Sequence, residues 1–110
     1  MNAPFEDLAD LDRLIHEPAR LAILTALSAC KSADFLFLQH LTGLTKGNLS
    51  SHLSKLENAK LVNIDKSFVG KMPKTDLSLS KNGRAAIKQH WDRLSQLKDD
   101  VAKWQPDGSS

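Results

Sequence analysis

Lys46, Asn48, Ser51, His52 and Lys55 stand close together on a stretch whose leucines, Leu49, Leu53 and Leu56, recur at steps of four and three. That spacing is the period of a helix with one apolar stripe, and it leaves the polar set on the other faces. Lys, Asn, Ser and His are short or flexible donors that can reach base edges and phosphates, so the chemistry open to this run is recognition of a nucleic acid. Charge along the chain agrees. From Gly43 to Lys74 six lysines (Lys46, Lys55, Lys60, Lys66, Lys71, Lys74) oppose only Glu57 and Asp65, a balance of +4, whereas the preceding residues sum to −3 and the following ones to +1. The middle third is therefore the surface expected to meet a polyanion.

Other chemistries find no constellation. Ser, His and Asp occur, but no nucleophile elbow, phosphate-binding glycine loop or paired-histidine metal motif brings them together, so no catalytic residues are assigned and no enzyme is expected. His16, His40 and His90 lack zinc-like spacing, and Cys30 is the only cysteine, so neither a metal nor any other cofactor is expected. A lone cysteine permits no internal disulfide and suits a reducing compartment. Its expected role is that of a small apolar side chain near a helix end, with a redox sensor as the alternative.

The elements that must position the polar run can be read from periodicity. A chain of 110 residues, 41% hydrophobic and 25% charged, has the balance of one globular domain, expected over residues 1–104 with a flexible tail at 105–110. Phe5, Leu8, Leu11 and Ile15 predict an acidic amphipathic first helix. Pro18 suits the opening turn of a second, which carries Leu21, Ile23, Leu24 and Leu27 and is expected to end near Cys30-Lys31. Asp34 is a candidate N-cap for a short third helix, Thr42-Gly43 a break, and Thr45 the cap of the polar-faced fourth. The period then changes to two at Val62 and Ile64 and again at Thr75, Leu77 and Leu79. Two antiparallel strands follow from it, joined by a long basic tip from Ser67 to Lys74. Ser80 caps a last helix whose stripe, Ile87, Trp91, Leu94, Leu97, Val101 and Trp104, is too long to be buried within so small a domain. Part of it is expected to pack on a second copy of the chain. No stretch has the roughly 20 apolar residues that span a bilayer, and Met1 to Asp7 does not read as a signal sequence, so a cytoplasmic protein with no membrane partner is expected.

The order of elements, with a Gly-containing turn between the third and fourth helices and a basic hairpin after them, is that of a winged helix-turn-helix. Here the chain resembles a known family. The run Leu41-Thr42-Gly43-Leu44-Thr45-Lys46-Gly47-Asn48-Leu49-Ser50-Ser51-His52-Leu53-Ser54-Lys55-Leu56-Glu57 is similar to the winged-helix DNA-binding domain of bacterial and archaeal transcriptional regulators, broadly MarR-like and ArsR-like. His16 to Leu24 resembles the opening helix of that domain and Asn58-Ala59-Lys60-Leu61-Val62 its exit into the first wing strand. Phe68 to Thr75 resembles the wing, and Leu79 to Arg84 the start of the last helix. The resemblance covers roughly Leu14 to Leu97. It implies a mainly α fold with a small β-hairpin wing, whose terminal helices form a dimer interface from Phe5, Leu8, Leu11, Trp91, Leu94, Leu97, Val101 and Trp104.

By the same resemblance Thr45, Lys46, Gly47, Asn48, Ser51, His52 and Lys55 lie in or beside the major groove of double-stranded DNA. Asn48 is the foremost base reader, since a carboxamide pairs bidentately with adenine. Lys46 and Lys55 reach phosphate or guanine, Gly47 lets the helix start approach closely, and His52 has either a groove contact or a phosphate-side or bridging role. Lys66, Lys71 and Lys74 of the wing hold backbone phosphate. Two departures stand out: Lys60 occupies a position where family members often have glycine, and the wing has lysines where they often have arginines. Lysine neutralises phosphate but lacks the guanidinium fork, so the wing reads as a clamp more than a base reader. The ArsR-like metal-binding cysteine pairs are absent.

The function implied is that of a sequence-specific transcriptional regulator acting as a homodimer on a palindromic operator. A protein-binding winged helix and a non-specific architectural DNA-binding protein are the alternatives. The sequence does not name an effector, and a small-molecule effector stays unknown at this point.

Overall fold

A computed structural model describes residues 13–104. The first helix expected from the sequence lies mostly outside the described residues, as do Phe5, Leu8, Leu11 and the tail at 105–110; its end, residues 13–15, is helical and buries Ile15. Four further helices and three strands follow: α1 (Pro18–Ser28), β1 (Ala33–Asp34), α2 (Phe35–Thr42), α3 (Lys46–Asn58), β2 (Val62–Val69), β3 (Met72–Leu79) and α4 (Lys81–Lys103).

Local chemistry sets each boundary. The Glu17 carboxylate accepts a hydrogen bond from the Arg20 backbone N–H at 2.8 Å and so caps α1, with Pro18 in the first position, where its missing N–H costs nothing. The helix closes at Ser28, slightly earlier than Cys30-Lys31. Asp34 both ends β1 and caps α2 by accepting from Phe37 N–H at 2.7 Å. Gly43 then takes φ 72°, the left-handed conformation that terminates helices, and donates its N–H to Gln39 O. Two residues later Thr45 Oγ1 accepts from Asn48 N–H at 3.1 Å and starts α3. A glycine cap at one end of a three-residue turn and a threonine cap at the other leave little choice in where the second helix points.

The sheet is antiparallel in the order β1-β3-β2. Its hairpin differs from the long basic tip expected over Ser67 to Lys74. The ladder continues to the pair Val69 and Met72, leaving a two-residue turn, Gly70-Lys71, with Gly70 at φ 64° as a tight hairpin with glycine first requires. Pro73 is tolerated in β3 because β1 pairs only with Asp76 and Leu77, so β3 has an open edge at that height. The short strand β1 gives the hairpin a third partner, and Ala33 is buried against the core.

One core holds these pieces. Ile23, Leu24 and Leu27 of α1, Leu38 of α2, Leu49, Leu53 and Leu56 of α3, and Val62, Leu77 and Leu79 at the sheet base are all buried. Each such aliphatic side chain contributes about 1.5–3 kcal/mol on leaving water, which fixes the rotation of α3 about its axis. The last helix is capped by Ser80, whose Oγ accepts from Gly83 N–H at 2.9 Å and donates to Lys60 O at 2.6 Å. With 23 residues α4 runs about 34 Å, but it buries only Gly83, Ala86, Ile87 and His90, all in its first half. From the expected stripe Ile87 is in the core, whereas Trp91, Leu94, Leu97, Val101 and Trp104 are exposed. No helix among the described residues is long and apolar enough to cross a membrane.

Candidate nucleic-acid interface

The three buried leucines of α3 turn its opposite side to solvent. Thr45, Lys46, Gly47, Asn48, Ser51 and Lys55 are all exposed along that side. Gly47 has no atom within 4 Å of the place a Cβ would take, so nothing inside the protein requires a glycine there. A glycine in a helix costs about 0.5–1 kcal/mol relative to alanine.

Beside this face stands the wing. A cleft of about 460 Å³ separates the two, and Lys46 and Ser50 of α3, Lys66 of β2 and Lys74 of β3 are among its lining residues, over an apolar floor that includes Phe35, Leu53 and Leu77. Lys66, Lys71 and Lys74 are exposed. Lys74 Nζ lies 3.8 Å from Asp76 Oδ1, whereas among the described residues Lys46, Lys55, Lys66 and Lys71 have no ion pair. Cations that are not already paired can meet phosphate without first breaking an internal contact.

His52 sits apart from the exposed set. It is half-buried, and its Nδ1 lies 3.7 Å from Glu17 Oε2, with no hydrogen-bond partner among the described residues. Glu17 thus meets α3 as well as capping α1. Burial acts to raise the Glu17 pKa, but the backbone N–H groups of Arg20 and Ala19 and the nearby His52 and Arg20 charges outweigh it and hold the carboxyl below its usual range. Glu17, and Ser50 in the cleft, are therefore residues beside this face that sequence patterning passed over. The proximity of Glu17 to His52 comes from the packing of α1 on α3, which no local periodicity reveals.

The remaining candidate residues separate cleanly. The described part of the apolar set assigned to a dimer interface, Trp91, Leu94, Leu97, Val101 and Trp104, runs from the middle of α4 to its C-cap, while Phe5, Leu8 and Leu11 fall outside the described residues. No group of three or more potential metal ligands is found among the described residues. Cys30 is half-buried just beyond α1.

Comparison with known proteins follows the same outline. Residues 19–97 match the model of a family described as winged helix DNA-binding domain. An uncharacterized protein of Methanocaldococcus jannaschii is 30% identical over 89 residues, which make up 81% of this chain and 97% of the relative. Among solved structures, a transcriptional regulator homologue from Pyrococcus horikoshii superposes with a TM-score of 0.76 at 28% identity, covering 87% of this chain and 97% of the other. A transcriptional regulator of the MarR family from Enterococcus faecalis gives a TM-score of 0.75 over 94% of this chain and 92% of its own; at 16% identity, that likeness concerns the fold alone.

Proposed function

We propose that the chain, which belongs to the family of winged helix DNA-binding domains, is a transcriptional regulator that acts as a homodimer reading a palindromic operator in double-stranded DNA. The observation that carries this reading is the exposed face of α3. Its donors and unpaired lysines point away from three buried leucines and stand next to a wing with lysines of its own.

Thr45, Lys46, Gly47, Asn48, Ser51 and Lys55 lie in or beside the major groove. Asn48 pairs with adenine, the hydroxyls of Thr45 and Ser51 assist, and Lys46 and Lys55 contact phosphate or guanine. Gly47 removes a side chain where the positive end of the helix dipole meets the backbone of the duplex, which accounts for a glycine that internal packing does not ask for. His52 takes the bridging role, tying α3 to Glu17 at the start of α1. On the other side of the cleft Lys66, Lys71 and Lys74 hold the sugar-phosphate strand. Residues 1–104 act as one domain, whose α4 stripe, with Phe5, Leu8 and Leu11, packs on the second copy. A regulator of this kind works where a prokaryotic chromosome lies, in the cytoplasm.

Titration of an operator duplex against salt tests the assignment. Each phosphate contact contributes about 0.9 to the slope of log K against log salt, so Lys46→Ala with Lys55→Ala should flatten the slope by roughly 2 and weaken binding to all sequences. Asn48→Ala should instead leave the slope alone and erase preference at one base position, at a cost of about 1–3 kcal/mol on the preferred site. Unchanged DNA binding in the double lysine variant would send the function to a protein partner.

A further inference from the structure

The wing ends in side chains that a phosphate clamp does not need. Phe68, Val69 and Met72 are 74%, 63% and 71% exposed, larger values than most of the α4 stripe shows. The register places Phe68 opposite Pro73 and Val69 opposite Met72. Residues directly opposite share a face and successive residues alternate, so the tip is apolar on both faces. Lower down the same ladder only one face is apolar: Ile64 pairs with Leu77 towards the core, while Asp65 pairs with Asp76 on the other side. Cross-strand packing of Val69 on Met72 would support the hairpin, but it does not call for a third large apolar residue left in water.

We propose that the wing tip is an apolar wedge that enters the minor groove and bends the DNA, an inference that rests on the DNA-binding reading above. The charge around the tip selects this occupant: Lys66, Lys71 and Lys74 bracket the apolar group, and a polyanion whose interior is a stack of flat apolar rings meets both demands. Reach agrees as well. The five residues from Asp65 to Val69 carry the hairpin about 16 Å beyond its last core contact, Ile64, at ~3.3 Å per residue. A minor groove lies about 17 Å from the centre of the adjacent major groove, half of a roughly 34 Å helical turn. The two-residue turn keeps the tip narrow enough to enter it, with Gly70 at φ 64° adding no side chain beside Lys71. Phe68 and Met72 are the wedging side chains, set on opposite faces of the hairpin, and Lys71 neutralises phosphate at the groove's edge.

The test uses the full chain and an operator duplex enriched from random DNA, labelled at both ends for energy transfer and, in a second series, carrying 2-aminopurine at successive flanking steps. The wild-type protein is expected to bend the duplex by roughly 20° or more and to raise 2-aminopurine emission at one unstacked step per half-site. Phe68→Ser with Met72→Ser should keep salt-sensitive binding and lose both signals, while Phe68→Leu should retain them. A saturated wild-type complex with neither bend nor emission change overturns the wedge whatever the variants do, and so does an equal bend in the double serine variant. Binding to phosphatidylglycerol vesicles that depends on Phe68, with a straight duplex, would assign the tip to a membrane and overturn it too. Absence of any duplex binding removes the DNA-binding reading itself, whereas binding without bending removes the wedge alone.

Discussion

Lys60 is held at φ 63°, the only non-glycine residue among those described with a positive φ. It is the position where a glycine is common in similar domains, and the geometry shows why. The chain leaves α3 and must reverse into β2 while Lys60 O accepts the Ser80 hydroxyl and Leu61 O accepts the Ser80 backbone N–H. An L residue with a Cβ pays about 1–2 kcal/mol for the left-handed conformation. Lys60→Gly should therefore raise stability by about 1 kcal/mol, seen as a melting temperature several degrees higher; a lower one would mean that the lysine side chain contributes something the backbone does not show. The effect on DNA affinity should be small, because Lys60 lies beyond the end of the recognition helix. At this scale the sequence indicated the departure but not its sense, since a positive φ is a consequence of two elements meeting. His52 shows the same limit: helical spacing put it on a polar flank, and only the packing of α1 directs its Nδ1 towards Glu17.

Where the elements join, most boundaries were legible. Asp34, Thr45 and Ser80 cap α2, α3 and α4 as their types and positions suggest, because a capping bond is decided within four residues. The leucine stripe of α3, and with it the outward face that forms the candidate site, followed from period alone. Strand β1 did not, since two residues show no alternation, and the hairpin came out tighter than expected because the exposed apolar residues near its tip mask the pattern of a half-buried strand. The junction of α4 with the wing base offers a sharper test. Gly83 packs so closely on the backbone carbonyl of Leu61 that a Cβ would collide with it, and backbone cannot swing aside as a side chain can. Gly83→Ala should cost about 3 kcal/mol, the upper end of overpacking penalties, and should loosen the wing relative to α4. Hydrogen exchange at the amides of Leu61 and Ser80 measures this directly: faster exchange is expected, and unchanged protection would show that the junction yields.

At the scale of the whole molecule, two surfaces among the described residues ask for partners. One is the basic face of α3 and the wing. The other runs from the middle of α4 to its C-cap, where Trp91, Leu94, Leu97, Val101 and Trp104 share one edge and remain in water in the single chain. A contiguous apolar edge of this length is unusual on a monomer, and a symmetric pairing of two copies would cover it. Leu94→Glu with Leu97→Glu should convert the protein to a monomer in sedimentation while leaving each domain folded. Loss of the second half-site contact should then weaken operator binding by far more than Asn48→Ala alone. A wild-type protein that sediments as a monomer at micromolar concentration would leave the stripe to another partner. Pairing also has a geometric consequence for the wings, because a wedge at each end of a two-fold complex bends the duplex symmetrically about the dyad.

Selection of binding sites from random double-stranded DNA at physiological salt tests the central claim most directly. The account predicts an enriched imperfect palindrome whose half-sites lie one helical turn, about 34 Å, apart and are bound by two copies of the chain. Salt-sensitive binding with no enriched sequence, or a single isolated half-site bound by one copy, would contradict it.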